Sequence, residues 1–167
     1  KAATNIRVNL RERPPADDVV ISPREFGNIP GGEVHFAAVE DGADGEIIAD
    51  ASIENLGLAP SKIKLVVRKG RIVQVGWLDQ TFQDTDSYLN RLLKILGTDA
   101  QSMTIGEFSV GAAIVPITGI LVVDEKALGT SHIAFGFNVG YGAGNKGQNR
   151  SGAHTDFVIR DVTVKVV

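Results

Sequence analysis

Apolar residues recur at helical spacing only once in this chain, at Tyr88, Leu89, Leu92, Leu93 and Leu96. Everywhere else the apolar and β-branched residues come in short runs cut by glycine, proline and polar turn residues. No single element satisfies both period 2 and period 3.6, so the chain must fold mainly as sheet. The spacing predicts one amphipathic helix over about 84–96, with Asp84 or Thr85 capping its start and Gly97 its end. Strands are expected at 5–10, 19–21, 46–54, 63–67, 72–77, 105–114, 117–123, 133–137 and 157–167, with a turn at 41–45 and one helical turn at 124–128. Arg68-Lys69-Gly70-Arg71 reads as a hairpin turn with Gly70 in the left-handed region. Hairpin links outnumber any βαβ pattern, so the expected class is α+β, a mainly antiparallel, β-rich single domain spanning 1–167.

A chain of 167 residues is long enough for a sizeable core. No run reaches the roughly 20 apolar residues of a membrane-spanning helix. Seventeen basic against twenty acidic residues give a net charge of −3, which offers no positive field to nucleic acid or an anionic membrane. The absence of cysteine removes disulfide scaffolds, zinc fingers, iron–sulfur clusters and thiol catalysis together. A bound metal must therefore rest on Asp, Glu and the three histidines, His35, His132 and His154. The chain opens at Lys1 with no signal-type apolar segment, which points to a processed chain or a piece of a longer one, and to the cytoplasm.

His154-Thr155-Asp156 leads into an apolar strand, where residues two apart share a face. The His and Asp therefore project together, as a pair of metal ligands or as a hydrogen-bonded surface pair. His132 follows a tight turn at Gly129. Glu33 follows Gly31-Gly32, and Glu107 follows Gly106, both in apolar surroundings. A buried unpaired carboxylate costs several kcal/mol, so each either faces solvent or is compensated by a cation. Residues 138–152 hold five of the nineteen glycines together with Asn, Lys, Gln and Arg. This segment reads as a mobile wall of a substrate cleft, with Lys146 and Arg150 available to a substrate carboxylate.

Four ordered blocks connect these features: Asn28-Ile29-Pro30-Gly31-Gly32-Glu33-Val34, Ile105-Gly106-Glu107-Phe108, Asp124 through Gly136 with its Ser131-His132-Ile133-Ala134 core, and His154-Thr155-Asp156-Phe157. Together they resemble the C-terminal, metal-binding half of the thermophilic metallo-aminopeptidases of the aminopeptidase T type, without that family's N-terminal domain. The resemblance implies that Glu33, Glu107, His132, His154 and Asp156 are metal ligands, and that Glu107 also serves catalysis. The family's catalytic tyrosine falls at Val139; a shift within the Gly-rich loop would bring Tyr141 into its place.

The resemblance further implies a metal-dependent aminopeptidase-like hydrolase that removes N-terminal residues from peptides. Three carboxylates carry about −3 and two divalent ions about +4, the difference being met by one bridging hydroxide, so two Zn, Co or Mn ions activating a water are expected. One alternative is an Fe(II)-dependent ring-cleaving oxygenase of the same superfamily, using only His132, His154 and Asp156. Another is a non-catalytic metal-binding or assembly domain. A peptide or small-molecule substrate and a homodimer are expected, with no nucleic-acid or membrane partner.

Overall fold

The computed structural model describes residues 3–18, 29–140 and 144–167. The expected strand at 19–21 lies outside them. Two sheets form, and every strand pairing between named strands is antiparallel. The strands are β1 (Asn5–Val8), β2 (Ala16–Asp17), β3 (Glu33–Ala37), β4 (Ala43–Ala49), β5 (Ser52–Ile53), β6 (Gly57–Leu58), β7 (Ile63–Arg68), β8 (Arg71–Trp77), β9 (Ile105–Gly111), β10 (Ser131–Gly136) and β11 (His154–Ile159). The helices are α1 (Tyr88–Leu96) and α2 (Leu121–Asp124). One sheet runs β1-β4-β7-β8, and the other runs β2-β3-β9-β10-β11-β5-β6. No helix among the described residues is long and apolar enough to cross a membrane.

A single apolar cluster joins the two sheets and α1. It takes Ile47, Leu65 and Trp77 from the first sheet, Ile133, Phe135 and Phe157 from the second, and Tyr88, Leu92 and Leu96 from the helix. Phe135 and Phe157 meet edge to face at 5.9 Å, the arrangement their ring quadrupoles favour. The β7–β8 hairpin turns on Lys69 and Gly70, with Gly70 at φ 73° as the sequence predicts and Lys69 also at positive φ (46°).

Several boundaries differ from the sequence reading. The helix begins at Tyr88 rather than 84 because Ser87 sits at φ 54°, while Asp84 still caps it, accepting the Tyr88 and Leu89 N–H groups at 2.8 and 2.9 Å. The single strand expected at 46–54 is two, β4 and β5, because the chain changes sheet at Asp50-Ala51. Residues 117–123 are not a strand. The Asp124 carboxylate accepts from the Thr118 N–H, the Gly119 N–H and the Ser52 hydroxyl, drawing the segment into a loop that enters α2. The helical turn expected at 124–128 accordingly starts earlier, at Leu121. The terminal strand stops at Ile159, shortly before Asp161 takes φ 53°.

The described part of the 138–152 segment is pinned to the body of the protein. Asn138 Nδ2 donates to Glu40 Oε1 at 2.9 Å, the Gln148 N–H donates to the same oxygen at 2.7 Å, and Arg13 Nη2 reaches Glu40 Oε2 at 2.8 Å. Burial pushes the Glu40 carboxyl up, but these donors outweigh it and hold the group below its ordinary 4.5. A depressed carboxyl stabilises the fold above its unfolded-state value, and that contribution is lost as pH falls through the lower folded value. Glu40→Gln is therefore expected to lower the melting temperature by a few degrees at pH 7, with the gap to wild type closing below about pH 4. Thermal melts of both proteins across that range check it; a gap that persists in acid would place the effect in packing instead of charge.

Candidate metal centre

Strand register explains why distant residues share one surface. Glu33 and His35 on β3 lie opposite Gly111 and Ser109 on β9, His132 on β10 lies opposite Ser109, and Asp156 and His154 on β11 lie opposite Ala134 and Gly136. With period 2, these side chains emerge on the face away from Ile133, Phe135 and Phe157. Glu107 requires one more device. Ala134 pairs with Glu107 but Phe135 pairs with Ile105, so Gly106 is an extra residue in β9. This bulge turns Ile105 into the core and Glu107 to the other side, although the two are two positions apart.

The resulting cleft has a volume of about 320 Å³. Glu33, Glu107, His132, His154 and Asp156, the five residues singled out in the sequence, all line it. Glu107 stands between the two imidazoles, with Oε1 3.1 Å from His132 Nε2 and Oε2 3.4 Å from His154 Nε2. On one side Glu33 Oε2 lies 3.5 Å from His132 Nε2; on the other, Asp156 Oδ1 lies 3.4 Å from His154 Nε2. His154 Nδ1 is 2.7 Å from the Phe137 carbonyl, which fixes the ring with Nε2 toward the cleft.

Sequence reasoning missed two further carboxylates. Glu54, just after β5, forms a group with His154 and Asp156 whose potential ligand atoms lie within 4.8 Å of one another, and Glu125, just after α2, does so with His132 and Asp156. His35 also lines the cleft, with Nδ1 3.8 Å from Glu33 Oε1. Among the described residues the apolar wall is formed by Leu121 and Val122, and none of the described residues of the glycine-rich segment lines the cleft, neither Lys146, which pairs with Glu12 at 3.4 Å, nor Arg150. Tyr141 lies outside the described residues.

The electrostatics of this cluster favour positive charge. Burial alone would lower the two imidazole pKa values, yet Glu107 and Asp156 beside them raise His132 to about 9 and His154 to about 11. Burial likewise pushes Glu107 up, but the two histidines bring it well below the carboxylate range. Burial and the Asp156 charge raise Glu54 to about 7. Asp156 Oδ1 and Glu54 Oε2 are buried with no hydrogen-bond partner among the described residues. Carboxylate and imidazole donors grouped this closely fit a hard or borderline divalent ion. Behind them Lys126, fully buried, reaches Glu33, Glu125 and Asp18.

The fold is shared with known structures. Wild-type AmpT from Thermus thermophilus superposes with a TM-score of 0.70 at 20% identity, over 95% of this chain and 42% of its own. The 2,5-dihydroxypyridine dioxygenase from Pseudomonas putida KT2440 superposes with a TM-score of 0.68 at 17% identity, over 94% of this chain and 49% of its own. This chain thus spans less than half the length of either protein. No curated protein gives a significant sequence match. The sequence pattern of the thermophilic metalloprotease (M29) family matches residues 17–167, and the chain belongs to that family.

Proposed function

We propose that this chain carries the centre of a metal-dependent aminopeptidase-like hydrolase that removes N-terminal residues from peptides. The observation that supports it best is Glu107, whose two carboxylate oxygens face two different imidazoles at 3.1 and 3.4 Å, so that it would be available to a metal held with either histidine. Glu33 and His132 would complete one ion's protein ligands, and His154 and Asp156 the other's. Bound divalent ions of the Zn, Co or Mn kind would supply Lewis acidity and an acidified water at neutral pH.

The chain's own groups have separate tasks. Leu121 and Val122 offer an apolar surface to the side chain of the substrate's first residue. Glu125 keeps one oxygen 2.8 Å from Lys126 Nζ and lies close to His132 and Asp156. Burial raises its pKa, which suits a carboxylate that accepts a proton from the attacking water and returns it to the departing amine. Tyr141 is proposed as the donor to the developing oxyanion.

A second reading, an Fe(II) oxygenase, draws support from the closeness of His132, His154 and Asp156, with Asp156 Oδ1 3.7 and 3.4 Å from the two Nε2 atoms. Elemental analysis of the purified chain, paired with hydrolysis of aminoacyl anilides in Zn, Co or Mn, separates the two. Two such ions per chain with hydrolysis, reduced in Tyr141→Phe, is the expected result. One iron per chain without hydrolysis favours oxygenation, and no stoichiometric metal defeats both.

A further inference from the structure

Lys126 is 0% exposed, and its ammonium lies 2.5 Å from Glu33 Oε1, 2.8 Å from Glu125 Oε1 and 3.0 Å from Asp18 Oδ2. The other Asp18 oxygen accepts the Gly32 and Glu33 N–H groups at 2.8 and 2.9 Å, so the three carboxylates and the start of β3 are tied to a single cation. Glu33 is left with Oε2 for the cleft, where it accepts the Ser109 hydroxyl at 3.1 Å and faces His132. Among the described residues five carboxylates line the cleft, Glu33, Glu54, Glu107, Glu125 and Asp156. Two of them share the charge of Lys126.

Resting on the metal reading above, we infer that Lys126 is a built-in counter-cation of the centre: it holds the acidic cluster together in the metal-free chain, competes with bound ions for Glu33 and steadies Glu125 beside them. A buried ammonium between two cleft carboxylates offsets their mutual repulsion, so the chain folds without metal. The same positive charge repels a divalent ion placed on the far oxygen of Glu33, and keeps the near oxygen from coordinating it. Lys126 thereby trades metal affinity for stability of the empty site. It acts through Glu33 and Glu125, which makes it a positioning residue.

Removing the charge has two effects of opposite sign, and the test reads both. In the chelator-stripped chain, Lys126→Met is expected to lower the melting temperature by roughly 10 °C or more, because three carboxylates lose a buried partner. The same variant is expected to bind Mn²⁺ or Zn²⁺ about tenfold more tightly in competition with a chromophoric chelator, with saturating metal restoring most of the lost melting temperature. A residue that served structure alone would lose affinity together with stability. Asp18→Asn provides the converse: with one negative charge gone, the ammonium bears harder on Glu33 and Glu125, and metal affinity falls several-fold. Wild-type chain that binds neither ion defeats the metal reading itself. Wild-type binding with unchanged or weaker affinity in Lys126→Met overturns the role of Lys126 alone. If Lys126→Met does not fold even with metal, Asp18→Asn decides: weaker binding supports the inference, and unchanged binding overturns it.

Discussion

Glu107→Gln is expected to remove stoichiometric binding of the second metal ion and to lower kcat/KM on an aminoacyl anilide by about 10³-fold or more, since a metal clamp supplies several kcal/mol of transition-state stabilisation. The substitution keeps the shape of the side chain but takes away the charge that lies between His132 Nε2 and His154 Nε2 at 3.1 and 3.4 Å. Among the described residues no other cleft carboxylate approaches both imidazoles this closely through separate oxygens, so none of them can take over the position without moving a strand. The glutamine also changes what the neighbours see. With the carboxylate gone, the force that raises both imidazole pKa values falls mainly to Asp156. Glu46→Gln, on the exposed face of β4 and paired with Lys64 at 2.8 Å, alters the net charge equally and should leave both readouts at wild-type level. Elemental analysis and steady-state kinetics of the two variants check the expectation. Two ions per chain in Glu107→Gln would show that Glu107 is not needed to hold the metals.

How much of this centre was legible beforehand depended on local pattern. His154 and Asp156 were readable because a strand puts residues two apart on one face, and the register of β11 with β10 keeps them there. Glu107 was readable as a carboxylate after a glycine, but not how it reaches the cleft. Gly106 is a bulge, where a Cβ would come within 2.6 Å of the Gly136 carbonyl, and a bulge leaves no mark on apolar alternation beyond the glycine itself. Glu54 follows a two-residue strand that exists only because the chain changes sheet there, so no periodicity surrounded it. Glu125 and Lys126 stand at the end of a four-residue helix, too short to show a face. Their environment is tertiary: Lys126 is buried by partners that arrive from Glu33, 93 positions away, and from Asp18. The fold class was more accessible than the site because alternation and turn chemistry are local, whereas the sheet-switching break and the Asp124-centred loop depend on contacts distant in sequence.

Gly136→Ala is expected to be the most disruptive single-methyl change near the centre, costing about 2–5 kcal/mol from backbone strain plus overpacking, or roughly 5–15 °C in melting temperature. Gly136 ends β10 at φ 108°, a region that L side chains rarely enter, and a Cβ there would lie 2.0 Å from the Ala153 carbonyl oxygen and 3.4 Å from His154 Cα. Both obstacles are backbone, so no rotamer change relieves them. The chain on either side is committed: the Phe137 N–H donates to the Ala153 carbonyl at 2.8 Å, and the Phe137 carbonyl orients His154 through Nδ1 at 2.7 Å. Pushing these strands apart therefore moves His154, a proposed ligand, as well as weakening the sheet. The variant should lose affinity on the His154–Asp156 side first and retain an ion held by Glu33, Glu107 and His132. Gly129→Ala separates the causes, because Gly129 also has positive φ (90°) but open space around it, so strain alone applies, about 1–2 kcal/mol. Melting curves and metal titrations of both variants test the argument. Equal losses at the two glycines would mean that the Ala153 backbone yields, and unaltered metal binding in Gly136→Ala would mean that His154 is not held by the β10–β11 contact.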